Sequence, residues 1–83
     1  MKIQATWMIG DGTGGPENRV AKGIVSKEAC YEVCLKKKKA DNDINGVTYG
    51  VSTGSRKGEC YCEKGMKSSN GNKNWVTRQI EGT

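Results

Sequence analysis

The residues best able to do covalent chemistry are four cysteines, Cys30, Cys34, Cys60 and Cys62, spaced as C-x3-C and C-x-C. Zinc knuckles favour C-x2-C and thiol redox sites want C-x-x-C, and neither spacing occurs. An even number of cysteines in a short, Gly-rich, weakly apolar chain reads instead as two disulfides, and hence an oxidising compartment. The chain contains no His. That removes a Ser–His–Asp triad, a Cys–His nucleophile pair and any histidine metal ligand. Carboxylate pairs such as Glu59 and Glu63 are present, but a shallow 83-residue fold offers little cleft to raise a pKa, so catalysis is not expected.

Three further patterns could carry a ligand. Asp41-Asn42-Asp43-Ile44-Asn45-Gly46 matches the first half of a calcium loop, with oxygens at Asp41, Asp43 and Asn45. The position that should supply the bidentate acid is Ser52, which makes an Asx-rich turn the stronger reading of the segment. Gly10-Asp11-Gly12-Thr13-Gly14-Gly15 matches G-x-G-x-x-G, but Pro16 follows and there is no room for a parallel crossover, so it reads as a surface loop. Such a loop can still form the rim of a binding site. Lys36, Lys37, Lys38 and Lys39 are the densest charge in the chain. They suit a helix C-terminus, and they also suit a polyanion such as a sulfated or uronic-acid polysaccharide.

The elements that would position these residues can be read in outline. Ser26 is a good N-cap and Glu28 lies in the first turn of a helix expected over 26–39, ending in the lysine run. Strands are expected at 3–9, 47–51, 59–63 and 75–80, with a short extended piece at 20–25. Loops are expected at 10–18, 53–58 and 67–73, and a polar turn at 41–46. Cys30 and Cys34 share a helical face, and Cys60 and Cys62 share a strand face. Two bridges would therefore fasten helix to strand. The nested arrangement, Cys30–Cys62 with Cys34–Cys60, is the expected one, and the crossed arrangement stays open. The fold class is α+β: one helix packed on a small antiparallel sheet, stapled by two disulfides. A single domain over residues 1–83 is expected.

With no Phe, the aromatics Trp7, Tyr31, Tyr49, Tyr61 and Trp75 are expected to supply most of the core, with Tyr49 and Tyr61 as neighbours on opposed strands. An exposed Trp75, with Asn70, Asn72 and Asn74 before it and Arg19 after the Gly loop, would instead suit a sugar.

The segment from Ser26 to Glu63 resembles WSC-type and PAN/apple-type extracellular modules. The matching pieces are Ser26-Lys27-Glu28-Ala29-Cys30-Tyr31-Glu32-Val33-Cys34, Gly46-Val47-Thr48-Tyr49-Gly50 and Glu59-Cys60-Tyr61-Cys62. The resemblance implies an extracellular module that binds glycans or proteins without catalysis.

Composition sets the remaining bounds. Fourteen Lys and Arg against nine Asp and Glu give a net charge of +5, and only 34% of residues are hydrophobic. A chain this small has a marginal core and needs an added staple. The longest apolar runs are three or four residues, so no transmembrane segment is expected. Met1-Lys2-Ile3-Gln4 is not an apolar leader, so secretion would imply that a leader has been removed. The expected protein is a secreted, non-catalytic module that recognises carbohydrate, acidic glycans included, or an extracellular protein. A structural or adhesive matrix domain and a toxin or protease-inhibitor mini-domain are the alternatives. No nucleic-acid partner is expected, and no cofactor other than a calcium at Asp41, Asp43 and Asn45.

Overall fold

The computed structural model describes residues 6–51 and 56–80. In chain order the elements are β1 (Met8–Ile9), β2 (Gly12–Thr13), β3 (Glu17–Ala21), α1 (Lys27–Lys38), β4 (Ile44–Gly50), β5 (Cys60–Lys64), β6 (Ser68–Ser69) and β7 (Trp75–Gln79). Five strands form an antiparallel sheet in the order β1-β7-β4-β5-β3, and β2 and β6 pair as a separate two-stranded ribbon. The helix packs on one face of the sheet, against β4 and β5. No helix among the described residues is long and apolar enough to cross a membrane.

The helix begins and ends for the reasons its sequence offers. Ser26 is extended, and its hydroxyl accepts a hydrogen bond from the Ala29 amide at 3.1 Å. Glu28 sits in the first turn and Lys36, Lys37 and Lys38 in the last, each sign at its favourable pole. Only Cys30 and Cys34 of the helix are buried, so sulfur does most of its anchoring.

The bridges are Cys30–Cys60 and Cys34–Cys62, which corrects the nested expectation of Cys30–Cys62 with Cys34–Cys60. The reason is direction. The chain reverses after α1 to enter β4, and reverses again into antiparallel β5. Two reversals leave β5 running the same way as the helix, so first cysteine meets first and second meets second. Four helical residues advance about 6 Å and two strand residues about 6.7 Å, so both bridges fit one approach. The Cα atoms are 5.5 Å apart in each.

Around these bridges Val47, Tyr49, Ile44 and Ile80 are buried. The expected aromatic core is present only in part, with Trp7 and Tyr31 packing against the buried cluster that contains Tyr49. Only Tyr49 is buried, its hydroxyl donating to the Ile24 carbonyl, while Trp7, Tyr31, Tyr61 and Trp75 are half-buried. Tyr49 and Tyr61 are not neighbours either. Tyr49 lies opposite Cys60 and Tyr61 opposite Thr48, so strand alternation sends the two rings to opposite faces.

Several boundaries shift. The strand expected at 3–9 is Met8–Ile9 among the described residues, with 3–5 outside them. The loop expected at 10–18 contains β2 and the start of β3, which also replaces the extended piece expected at 20–25. The loop expected at 67–73 contains β6. The expected hairpin loop at 53–58 and Ser52 lie largely outside the described residues.

The β2–β6 ribbon approaches the sheet face that the helix leaves open. Gly12 and Gly46 permit this contact. A Cβ on Gly12 would lie 2.3 Å from Met66 Sδ, and one on Gly46 would lie 2.2 Å from Met66 Cε. Asn45 braces the same turn, accepting from the Met66 amide at 2.8 Å and donating to the Met66 carbonyl at 3.0 Å.

Candidate functional site

The cysteines of β5 face the helix, so the residues alternating with them, Glu59, Tyr61 and Glu63, must face the other way. On that distal face Arg19 of β3 is the cross-strand partner of Tyr61. The Tyr61 ring meets Trp75 of β7 edge-on, with centroids 5.5 Å apart. Arg19 and Trp75, singled out in the sequence, therefore lie on either side of Tyr61.

Glu59 organises this patch. Its side chain is only 7% exposed, whereas those of Arg19 and Arg56 are 49% and 59% exposed. Arg19 Nη1 donates to one Glu59 oxygen and Arg56 Nη1 to the other, each at 3.2 Å. The Tyr61 hydroxyl donates to Glu59 Oε1 at 3.0 Å. Burial pushes the Glu59 carboxyl up, but the donors Tyr61, Arg56 and Arg19 outweigh it and hold the carboxyl below its usual range. Burial, followed by the hydrogen bond to Glu59 and then its charge, raises the Tyr61 hydroxyl. One carboxylate thus fixes two guanidinium groups beside an aromatic pair and leaves the patch net positive. Arg56, Glu59 and Tyr61 were absent from the expected binding set. The C-x-C spacing was the signal that could have placed Glu59 and Tyr61 on this face.

The other expected residues have identifiable local roles. Asn70 Oδ1 accepts from the Asp11 and Asn72 amides, and Asn72 Oδ1 accepts from the Asn74 amide. These oxygens shape the turn before Trp75. Lys38 folds back to donate to the carbonyls of Asn42 and Ile44, while Lys36, Lys37 and Lys39 are exposed at the helix end. The calcium-like oxygens at Asp41 and Asn45 have protein partners. Asp41 pairs with Lys64 and accepts from the Asp43 amide, and Asn45 is committed to Met66.

The carboxylates that do converge are Asp11, Glu17 and Glu63, whose oxygens lie within 4.8 Å of one another. Glu63 is 1% exposed, and Thr48 Oγ1 donates to its Oε2 at 2.7 Å while accepting from the Gly12 amide at 3.2 Å. Burial, with Glu17 and Asp11 beside it, pushes the Glu63 carboxyl up to about 9. Burial and Glu17 raise Asp11 to about 6. The expectation that so small a fold offers little cleft to raise a pKa does not hold at Glu63, where the ribbon supplies burial. The spacing would suit one divalent ion, but a proton retained on Glu63 relieves the same repulsion.

No family model, curated protein or solved structure matches this chain.

Proposed function

We propose that this protein is a secreted, non-catalytic binding module that takes an acidic glycan on the Arg19–Tyr61–Arg56–Trp75 surface. The observation that carries the reading is the pair of half-exposed guanidinium groups held by one buried carboxylate beside an edge-packed Tyr–Trp pair. Guanidinium forks match carboxylate and sulfate oxygens, and pre-orientation lowers the entropy lost on binding. The half-buried Tyr61 and Trp75 rings offer the apolar faces of sugar rings a contact that does not depend on salt. The two disulfides support an extracellular setting.

A panel of sulfated, uronic-acid and neutral oligosaccharides, titrated with salt, tests this. The expected result is binding of the acidic sugars that weakens but persists as salt rises. Arg19→Ala with Arg56→Ala should weaken it by about tenfold or more, as loss of an interface hot spot does. Absence of acidic-glycan binding at low salt would overturn the proposal. Binding lost only on replacing Lys36, Lys37 and Lys39 would also overturn it, by moving the contact to the helix end.

A further inference from the structure

A recess lies on the helix side of the sheet, opposite the Arg19–Arg56 patch. It encloses about 260 Å³ and is lined by Trp7, Glu28, Ala29, Tyr31, Glu32 and Arg78. Three elements build it. Glu28, Tyr31 and Glu32 recur at helical spacing on α1, Arg78 projects from β7, and Trp7 precedes β1. The β1–β7 register places Met8 opposite Thr77, which brings Trp7 to the level of Arg78. The Arg78 guanidinium lies 4.2 Å from the centre of the Tyr31 ring and 6.0 Å from that of Trp7. The two rings meet at 71° with centroids 6.4 Å apart. Arg78 is held by its aromatic neighbours and by the Gln79 carbonyl, which accepts from its Nε at 3.3 Å, and this leaves the Nη donors for a ligand.

The chemistry of the lining is selective. Glu28 and Glu32 line the recess with Arg78, and Glu28 also pairs with Lys27 at 3.3 Å, so the recess lacks the net positive charge of the Arg19–Arg56 patch. Glu28 is held below its usual range by its own backbone amide and by Lys27, which keeps it ionised. Carboxylate acceptors, a guanidinium donor and aromatic walls together fit a ring with an apolar face and equatorial hydroxyls. The volume falls just below the roughly 300–1,000 Å³ of sites for drug-sized molecules, which suits one ring or the end of a chain.

We infer that the Trp7–Tyr31–Arg78 recess is a second sugar site, for a pyranose without anionic groups and preferentially a hexosamine. The apolar ring face lies on Trp7, Arg78 donates to ring hydroxyls, and Glu28 and Glu32 take the ammonium. This site is independent of the acidic-glycan surface and of opposite charge preference.

Proton–nitrogen correlation spectra read the two indole N–H groups, of Trp7 and Trp75, separately. A glucosamine tetramer should shift the Trp7 signal saturably, a glucose tetramer should do so more weakly, and a galacturonate tetramer should not. Trp7→Ala should weaken the glucosamine tetramer by about tenfold, the size expected for an aromatic anchor. Glu28→Gln with Glu32→Gln alters only exposed carboxylates and costs the helix about 1 kcal/mol at most in first-turn charge, so it tests the site with the fold intact. It should remove the preference for glucosamine over glucose. Arg19→Ala with Arg56→Ala should leave the Trp7 response unchanged. The inference is overturned if neither uncharged nor amino sugar gives a saturable Trp7 shift, or if galacturonate is preferred there. An equal response to a lysine tetrapeptide would also overturn it, by showing a site for a bare cation.

Discussion

The two faces of the central sheet are held by different forces. Toward the helix, β4 and β5 present Val47, Tyr49, Cys60 and Cys62, and the covering layer is bonded covalently through sulfur. Away from it, the same strands present Thr48 and Glu63, beside Thr77 of β7, and the covering ribbon is held by hydrogen bonds and by Met66. The sulfur bridges that hold the first face do not titrate. The second contains a carboxyl whose charge decides whether its burial is tolerable. A chain with 34% hydrophobic residues has too few for two apolar layers. It spends them on one side and uses a polar network on the other.

Removal of the bridges should have the largest effect. Each closes a loop of about 30 residues, and the chain-entropy account assigns such a loop about 3–4 kcal/mol. Because the two loops overlap, the second bridge adds less than the first. Cys30→Ala with Cys60→Ala should lower the melting temperature yet leave a cooperative transition. Loss of both bridges should abolish folding at 37 °C, read by near-ultraviolet circular dichroism. Retention of a native spectrum in the fully reduced chain would break the comparison, because the sheet would then stand on non-covalent contacts alone.

The distal face should respond to pH in the next largest way. Glu63 rises from 4.5 to about 9 and Asp11 from 3.8 to about 6 on folding, so between those values the folded state binds more protons than the unfolded one. Stability from these groups is therefore fully present below the unfolded values and is lost as pH rises through the folded ones. The slope is at most about 1.4 kcal/mol per pH unit for each proton. Glu59 and Asp41 are lowered on folding and act in the opposite sense, losing their contribution as pH falls below the usual carboxylate range. The melting temperature should thus peak near the upper end of the carboxylate range and decline toward pH 9. Glu63→Gln keeps the shape and removes the charge, so it should flatten that decline and exceed the parent at pH 8. An unchanged decline in Glu63→Gln would remove Glu63 as its source.

Gly12→Ala sharpens the contrast with a purely steric change. The added methyl would meet Met66 Sδ at 2.3 Å and Glu63 Cδ at 3.1 Å. Overpacking of this kind costs about 1–3 kcal/mol. The cost should fall on the ribbon, seen as faster amide exchange at Asn70 and Lys67, which bond to Asp11 and Thr13 across it.

The sequence was most readable where local chemistry decides the outcome. Ser26 and the lysine run bounded the helix to within one residue at each end, because capping and dipole effects act over a single turn. The one-helix, one-sheet class followed from strand alternation. The disulfide pairing is the crossed alternative and not the nested one expected, although it depends only on counting chain reversals between α1 and β5. The ribbon was out of reach, since two-residue strands such as Gly12–Thr13 and Ser68–Ser69 have no periodicity to detect. Burial of Glu63 depends on that ribbon, and nothing in Cys62-Glu63-Lys64 announces it. The same holds for the Trp7–Arg78 contact, which requires the register of two strands far apart in sequence.

The smallest effect expected is that of Ser26→Ala, and it measures how far the two faces are coupled. The change removes the oxygen that accepts from the Ala29 amide. Loss of an N-cap typically costs about 1 kcal/mol. Here Cys30 and Cys34 hold the first and second turns against β5 whatever the cap does, so fraying should stop at Cys30. Hydrogen exchange should show Ala29 losing protection, with the Gly12 amide, which bonds to Thr48 on the far face, unchanged. If Gly12 loses protection too, the sheet transmits strain between its faces and the two layers form one cooperative unit. If only Ala29 responds, the sulfur-held face absorbs the damage, and the polar face opens and closes on its own protonation.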